Sequence, residues 1–190
     1  EKKATELLIE AIKDTDKEVR CAAIAAIGEL AEPKAADALI ECIKDEDKSV
    51  RKAAAKVLPN LRHPDAIPSF ARGLKDENVE VRRCVAEALE MIGHKQIVPD
   101  LLQALNQEKD TEVRRIIARI VAELGEKSAV PDLIKGLEDN DAQVRILLVK
   151  TLAKLGDQQA SVALVKLLSD TRDEVRSAAA EALSLIGSQD

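Results

Sequence analysis

The sequence predicts an all-α protein, an α-solenoid built from six helix-turn-helix repeats. Three observations predict it. The dipeptide Val-Arg returns at Val19-Arg20, Val50-Arg51, Val81-Arg82, Val113-Arg114, Val144-Arg145 and Val175-Arg176, with spacings of 31, 31, 32, 31 and 31 residues. A period in this range marks one small supersecondary unit stacked on copies of itself. Around each copy the apolar residues fall at helical spacing. Strand signals are weak, with no alternating β-branched or aromatic runs, and the 190 residues include no Trp, no Tyr and one Phe.

Aligned on Val-Arg, the units run near 1–33, 34–64, 65–95, 96–127, 128–158 and 159–190, a single array over the whole chain. The first helix of a unit is seen in Ala129–Leu137, where Leu133, Ile134 and Leu137 make one apolar stripe. Pro68, Pro99 and Pro131 stand near its start, where a first-turn N–H has no helical partner to lose. An acidic turn follows, as in Asp14-Thr15-Asp16, Asp45-Glu46-Asp47 and Asp139-Asn140-Asp141. Its second acid lies three residues before the valine, placed to cap the next helix. That second helix begins near Val-Arg and runs about twelve residues, roughly 18 Å. In the third unit its apolar positions are Val81, Val85, Ala88, Leu89 and Ile92. Gly93, Gly125, Gly156 and Gly187 close four of the second helices, as helix C-termini prefer. Neither helix buries its apolar face alone, so neighbouring units must stack.

The recurring pattern Leu-x-x-x-Leu-x-Asp-x-Asp-x-x-Val-Arg-x-x-Ala-x-x-x-Leu-x-x-x-Gly resembles the HEAT repeat, and within it the subclass named after phycobilisome lyases. The resemblance covers the whole chain. It implies a right-handed superhelix with first helices convex and second helices concave. It names no single function, because such repeats serve many roles.

Asp16, Asp47, Asp110 and Asp141 lie three residues before the valine, and Arg20, Arg51, Arg82, Arg114, Arg145 and Arg176 follow it. Six recurrences read as a structural ladder, in which each arginine bonds acidic turns of its own or the adjacent repeat; a catalytic site needs one constellation. Asn78 and Arg172 interrupt the acid side, which predicts weaker coupling between repeats there. Pro59 lies inside the second helix of the second unit. It removes one hydrogen bond and should kink or shorten that helix, at about 3 kcal/mol if nothing compensates. Arg62 stands there in place of the closing glycine, and the fourth unit carries one extra residue within Asn106–Asp110.

Composition narrows the function classes. A net charge of -6 with 34% charged residues argues against bulk electrostatic binding to nucleic acid. No apolar run approaches the ~20 residues of a membrane span, and no signal peptide pattern is present. Three cysteines with no close pairing point to a reducing, cytoplasmic compartment. Cys42 aligns with Ala11, Gly73, Ala104 and Gly136 as a small core residue; Cys21 and Cys84 fall near the inner face. Phe70 aligns with core leucines. His63 and His94 share one loop position in adjacent repeats, too far apart to share an ion, and read as solvated. Phosphate-loop, HExxH and GxSxG motifs are missing. No cofactor and no metal is expected, and the reading leans away from an enzyme.

The face implied to be concave is the candidate partner site. Its outward positions hold Lys52, Lys56, Arg83, Arg115, Arg119 and Lys150 against Glu87 and Glu181, with apolar Met91, Ile116, Ile146 and Leu147 between them and Leu185 beyond. Exposed apolar groups rimmed by charge mark a partner surface, here for an acidic, amphipathic peptide or helix. The opposing reading pairs these bases with neighbouring acids such as Glu80, Glu112 and Glu123. The leading function is a non-catalytic protein-interaction scaffold, the repeat portion of a longer chain. A bilin lyase or chromophore-handling subunit is the alternative that the resemblance implies. Nucleic-acid binding along the basic stripe is a third, disfavoured by overall acidity and missing aromatics.

Overall fold

The computed structural model describes residues 2–187, and every regular element among them is helical. The helices form two compact units of three repeats each, Glu1–Gly93 and His94–Asp190. The first holds α1 (Lys2–Ala11), α2 (Lys17–Leu30), α3 (Ala36–Cys42), α4 (Lys48–Val57), α5 (Ala66–Gly73) and α6 (Val79–Ile92). The second holds α7 (Val98–Gln107), α8 (Thr111–Leu124), α9 (Val130–Gly136), α10 (Ala142–Leu155), α11 (Ser161–Leu167) and α12 (Asp173–Gly187). Odd-numbered helices are the first of each repeat and even-numbered ones the second. Short 3₁₀ turns, Pro33–Ala35, Lys95–Ile97, Lys127–Ala129 and Gln158–Ala160, lead into α3, α7, α9 and α11.

Stacking follows from the apolar stripes. In the first unit α2 packs on α4 and α4 on α6, each also against its own first helix, while α3 meets α5 more sparsely. In the second unit α8 packs on α10 and α10 on α12 in the same way. The valine of Val-Arg sits in the first turn of the second helix. Val50, Val81, Val144 and Val175, each with a preceding repeat in its own unit, have no exposed surface, whereas Val19 is 40% exposed. Phe70 and Cys42 are buried with the core leucines and isoleucines. Gly73 and Gly136 mark the tightest approach of first to second helix: a Cβ on Gly136 would lie 2.5 Å from Leu148 Cδ1.

The second acid of each turn caps a helix. Side chains of Asp16, Asp47, Asn78, Asp110 and Asp141 accept backbone N–H groups at the starts of α2, α4, α6, α8 and α10. Asn78 does this as well as an aspartate, because a cap needs only the side-chain oxygen. Pro59 shortens its helix as expected. The α-helix stops at Val57 and continues as a 3₁₀ turn, Leu58–Leu61, that keeps Leu58, Pro59 and Leu61 buried. The extra residue of the fourth repeat is absorbed by lengthening the first helix. α7 runs to Gln107, and the Glu108 N–H donates to the Ala104 carbonyl at 2.9 Å. At the same place in the second repeat the bonds tighten to the i−3 pattern, as in Ile43 N–H to the Ile40 carbonyl.

The caps at the far ends differ. Gly93 and Gly156 take left-handed conformations, with φ of 60° and 63°. Ala31 and Arg62 adopt the same conformation with φ of 49° and 50°, where a Cβ crowds the backbone. Arg62→Gly is therefore expected to raise the unfolding free energy by about 0.5–1 kcal/mol. Gly136→Ala is expected to lower it by about 1–3 kcal/mol, through overpacking against Leu148. Urea unfolding of both variants beside the parent checks the two signs.

Candidate functional site

The arginines build a ladder along the turns. Each donates from Nη1 to carbonyls of its own turn. Arg51 reaches the Asp45 and Glu46 carbonyls at 2.9 and 3.1 Å, and Arg145 the Asp139 and Asn140 carbonyls at 2.8 and 3.2 Å. The other side of the guanidinium crosses to the next repeat, where Arg20 meets Asp45, Arg51 meets Asp76, Arg114 meets Asp139 and Arg145 meets Asp170. The pairs of Arg114 and Arg145 are two-pronged, and Arg51 donates through Nη2 at 3.0 Å with its Nε 2.7 Å from the other Asp76 oxygen. Arg145 places Nε 2.9 Å and Nη2 2.8 Å from the two Asp170 oxygens, the planar fork that suits a carboxylate. Arg20 reaches Asp45 through Nη2 at 2.8 Å.

The acid of each rung is the first of the turn, not the capping one. Asp16, Asp47, Asp110 and Asp141 are caps, and the rungs use the residue five before the valine. That residue also fixes its own turn by accepting the N–H two positions on, as Asp45 does from Asp47 at 2.9 Å and Asp170 from Arg172 at 2.9 Å. The weaker coupling expected at Asn78 and Arg172 is not found, because Asp76 and Asp170 carry those rungs. The signal was in the sequence: Asp14, Asp45, Asp76, Glu108, Asp139 and Asp170 keep an acid in all six turns, whereas the capping position does not.

The outward face of the second helices is the candidate partner site, and the predicted residues divide over the two units. On the first lie Lys52, Lys56, Arg83 and Met91; on the second lie Arg115, Ile116, Arg119, Ile146, Leu147 and Lys150. Met91 is 67% exposed. Ile146 and Leu147 are half-buried, and Lys56, Arg119 and Lys150 are exposed. Ile116 departs from expectation: it is 6% exposed and belongs to the core, because that position of α8 turns inward with Ile117 and Ile120. Two of the bases already hold carboxylates. Lys52 Nζ lies 2.8 Å from Glu80, which pulls the Glu80 carboxyl below its ordinary value. Arg115 bonds Asp141 at 2.8 and 3.1 Å and Glu112 at 2.8 Å, and its bonds lower the Asp141 carboxyl. The positive stripe is thus partly neutralised. Lys56 and Lys150 keep no carboxylate partner among the described residues. Between α10 and α12 a shallow cleft joins Ile146 and Lys150 to Asp173, Glu174, Ser177 and Glu181.

The thiols and imidazoles offer little chemistry. Burial pushes Cys42 up to about 11 and raises Cys84 and Cys21, which keeps all three protonated at neutral pH and poor as nucleophiles. Cys84 is 7% exposed. His63 meets Asp37 and Asp65, not His94, with ligand-type atoms of the three within 4.8 Å of one another. The Asp65 N–H donates to His63 Nδ1 at 3.3 Å. His63 Nε2 lies 3.7 Å from Asp37 Oδ1.

A family model described as HEAT repeats matches residues 1–48, 37–110 and 98–184. No curated protein matches the sequence. Among solved structures the chain is similar to an engineered protein at 24% identity, covering 97% of this chain and 96% of that one with a TM-score of 0.61. It is similar to the complex of CpcE and CpcF of phycocyanin lyase from Nostoc sp. PCC7120 at 24% identity, over 96% of this chain and 77% of that one, TM-score 0.62. It is also similar to a designed armadillo repeat protein in complex with peptide (KR)4, at 18% identity over 95% and 98%, TM-score 0.63. At these identities the likeness is one of fold. No helix among the described residues is long and apolar enough to cross a membrane.

Removing Arg51, 7% exposed, leaves Asp76 without its counter-charge and two turn carbonyls unbonded. Arg51→Ala is expected to lose about 2–4 kcal/mol, and the pair replacement Arg51→Met/Asp76→Leu to recover part of it; denaturant titration of both measures this. The folded state also holds several carboxyls below their ordinary values. Asp47 is lowered by the Ser49 N–H and Lys17, Asp141 by Arg115, and Asp170 by Arg145 despite an opposing effect of burial. Depressed carboxyls contribute stability above the unfolded-state pKa, and it is lost as pH falls through the folded one. Thermal midpoints are therefore expected to be flat with respect to these groups above about pH 5 and to fall below about pH 4.

Proposed function

Because this chain belongs to the HEAT-repeat family, we propose that it is a non-catalytic scaffold that binds a segment of a partner protein on the outward face of its second helices. The observation that carries this reading is the exposed, unpaired Lys56 on α4 and Lys150 on α10, each on a face with accessible apolar surface. Lys150 borders the cleft over half-buried Ile146, and Met91 stands exposed on α6 of the first unit. Apolar surface beside an unpaired ammonium suits an amphipathic helix or peptide whose acidic groups meet Lys56 and Lys150, while Asp173, Glu174 and Glu181 across the cleft from Lys150 favour basic groups there. The (KR)4 complex of the designed armadillo protein supports peptide binding as a use of this fold. The pairing of Lys52 and Arg115 with carboxylates narrows the basic contribution to fewer residues than the sequence alone implies.

Affinity capture with the intact chain and with Lys56→Glu/Lys150→Glu tests the reading. Both lysines are exposed, so the variant should keep its fold. A protein retained by the intact chain, lost by the variant and cross-linked to α4 or α10 is the expected result. Binding should fall about tenfold or more, the size of one lost charge contact made repulsive at an interface. Equal retention by both chains would move the site to the other faces. A bilin or a nucleic acid in the eluate without protein would replace the reading.

A further inference from the structure

Four junctions between second helices lie inside the two units, α2 with α4, α4 with α6, α8 with α10 and α10 with α12. In the first three a base other than the rung arginine crosses to the start of the next second helix. Lys17 reaches Asp47 at 3.2 Å, Lys52 reaches Glu80 at 2.8 Å, and Arg115 reaches Asp141 at 3.1 and 2.8 Å. The fourth junction departs from this pattern. Two residues after its valine, where α4 has Lys52 and α8 has Arg115, α10 carries Ile146. Among the described residues the rung arginine, Arg145, is the base that crosses there, and it goes to Asp170.

Without a second crossing base the junction stays open as the cleft described above, about 580 Å³ in volume. Gln143, Ile146 and Lys150 line it from α10, and Glu174, Ala178 and Glu181 from α12. On each helix these residues fall about one and two turns apart, so the cleft runs along the helices for about 10 Å. Its walls carry opposite charge, Lys150 on one side and Glu174 and Glu181 on the other. Lys150 and Glu181 share the cleft without pairing to each other. Glu174 occupies the position of Glu80, which Lys52 holds in the first unit. Here it meets Arg172 of the adjoining turn at 3.5 Å, with both side chains exposed.

We propose that this cleft takes one amphipathic helix of a partner protein, whose lysine or arginine supplies the crossing base that α10 lacks. The inference rests on the scaffold reading above and specifies its partner. Laid along the cleft, such a helix seats an apolar residue on half-buried Ile146. One flank presents a base to Glu174 and a second base, two turns on, to Glu181. Those two acids are themselves two turns apart, about 10.5 Å. An extended strand spaces residues on one side about 6.8 or 13.6 Å apart and misses this interval. The other flank presents an acid to Lys150. Opposite walls also fix the direction of the bound helix, because turning it end for end would exchange its flanks.

Fluorescence anisotropy of labelled peptides with the full chain tests this. The probe is an acetylated, amidated peptide of about 18 residues, long enough to hold a helix. It carries a leucine seam, lysines two turns apart on one flank and glutamate on the other. Control peptides carry lysine on both flanks or glutamate on both. The mixed peptide should saturate below about 1 mM and bind more tightly than either control. Lys150→Gln and Glu181→Gln should each weaken it about two- to fivefold, the size of an exposed ion pair. Ile146→Lys should weaken it about tenfold or more, because the new lysine crosses to Glu174 as Lys52 does to Glu80 and closes the cleft from within. Circular dichroism of each variant confirms that it folds. No saturation by about 1 mM, binding unchanged by Ile146→Lys, or tighter binding of either control peptide would overturn the inference. Any of these results beside a lysine-dependent capture of a protein would leave the scaffold reading standing, whereas capture indifferent to Lys56→Glu/Lys150→Glu overturns that reading itself.

Discussion

The guanidiniums of Arg20, Arg51, Arg114 and Arg145 each tie together three things that would otherwise vary independently: the path of the turn before it, the start of its own second helix and the position of the next repeat. Arg51 closes the Asp45–Glu46 turn through two carbonyls and grips Asp76 beyond it. Asp76 in turn bonds the Asn78 N–H and so fixes where α6 begins. A carboxylate that answers both a backbone amide and an arginine has little freedom left. Apolar stacking of α2, α4 and α6 provides the larger, non-directional part of the stability. The rungs select one register of that stacking from the several that helical ridges and grooves allow.

The architecture was legible because its signal repeats. A valine that must be buried, followed by an arginine that must reach the next repeat, cannot drift without losing both contacts. Hence Val-Arg survives where neighbouring positions vary. What the period left ambiguous was which of two acids two residues apart served which purpose. Both are short, both lie before a helix, and the capping rule alone fits the second one. The first is an acid in all six turns and the second is not, and the geometry shows that it is the first that receives the arginine. The 3₁₀ turns were also hidden, since they reflect how the loop meets the first helix and carry no composition of their own. Ile116 was misplaced for a related reason. Counting outward positions from an ideal helix assigns it to the surface, but α8 presents Ile116, Ile117 and Ile120 to the core together.

The second-helix face was legible in composition and less so in charge. Periodicity tells which residues face outward; it does not tell which of two opposite charges on adjacent helices will touch. Lys52 and Arg115, two residues after their valines, find Glu80 and Asp141 because the stacking sets the first turns of one second helix beside the start of the next. Lys56 and Lys150 find none among the described residues. The second pair, not the full stripe, distinguishes this face from an ordinary solvated helix surface.

The turn acid and the arginine that grips it stand 25 residues apart, and both recur with the same period. Duplicating or deleting one whole period would therefore regenerate a complete joint at the seam, with no compensating change elsewhere. Within a period the tolerance is smaller: the one additional residue of the fourth repeat is taken up in the last turn of α7, ahead of the acid, so that the six residues from the turn acid to the arginine of its own repeat are kept, Glu108 to Arg114 as Asp45 to Arg51. Array length is then easily altered by whole periods, while the spacing inside each turn leaves no such room.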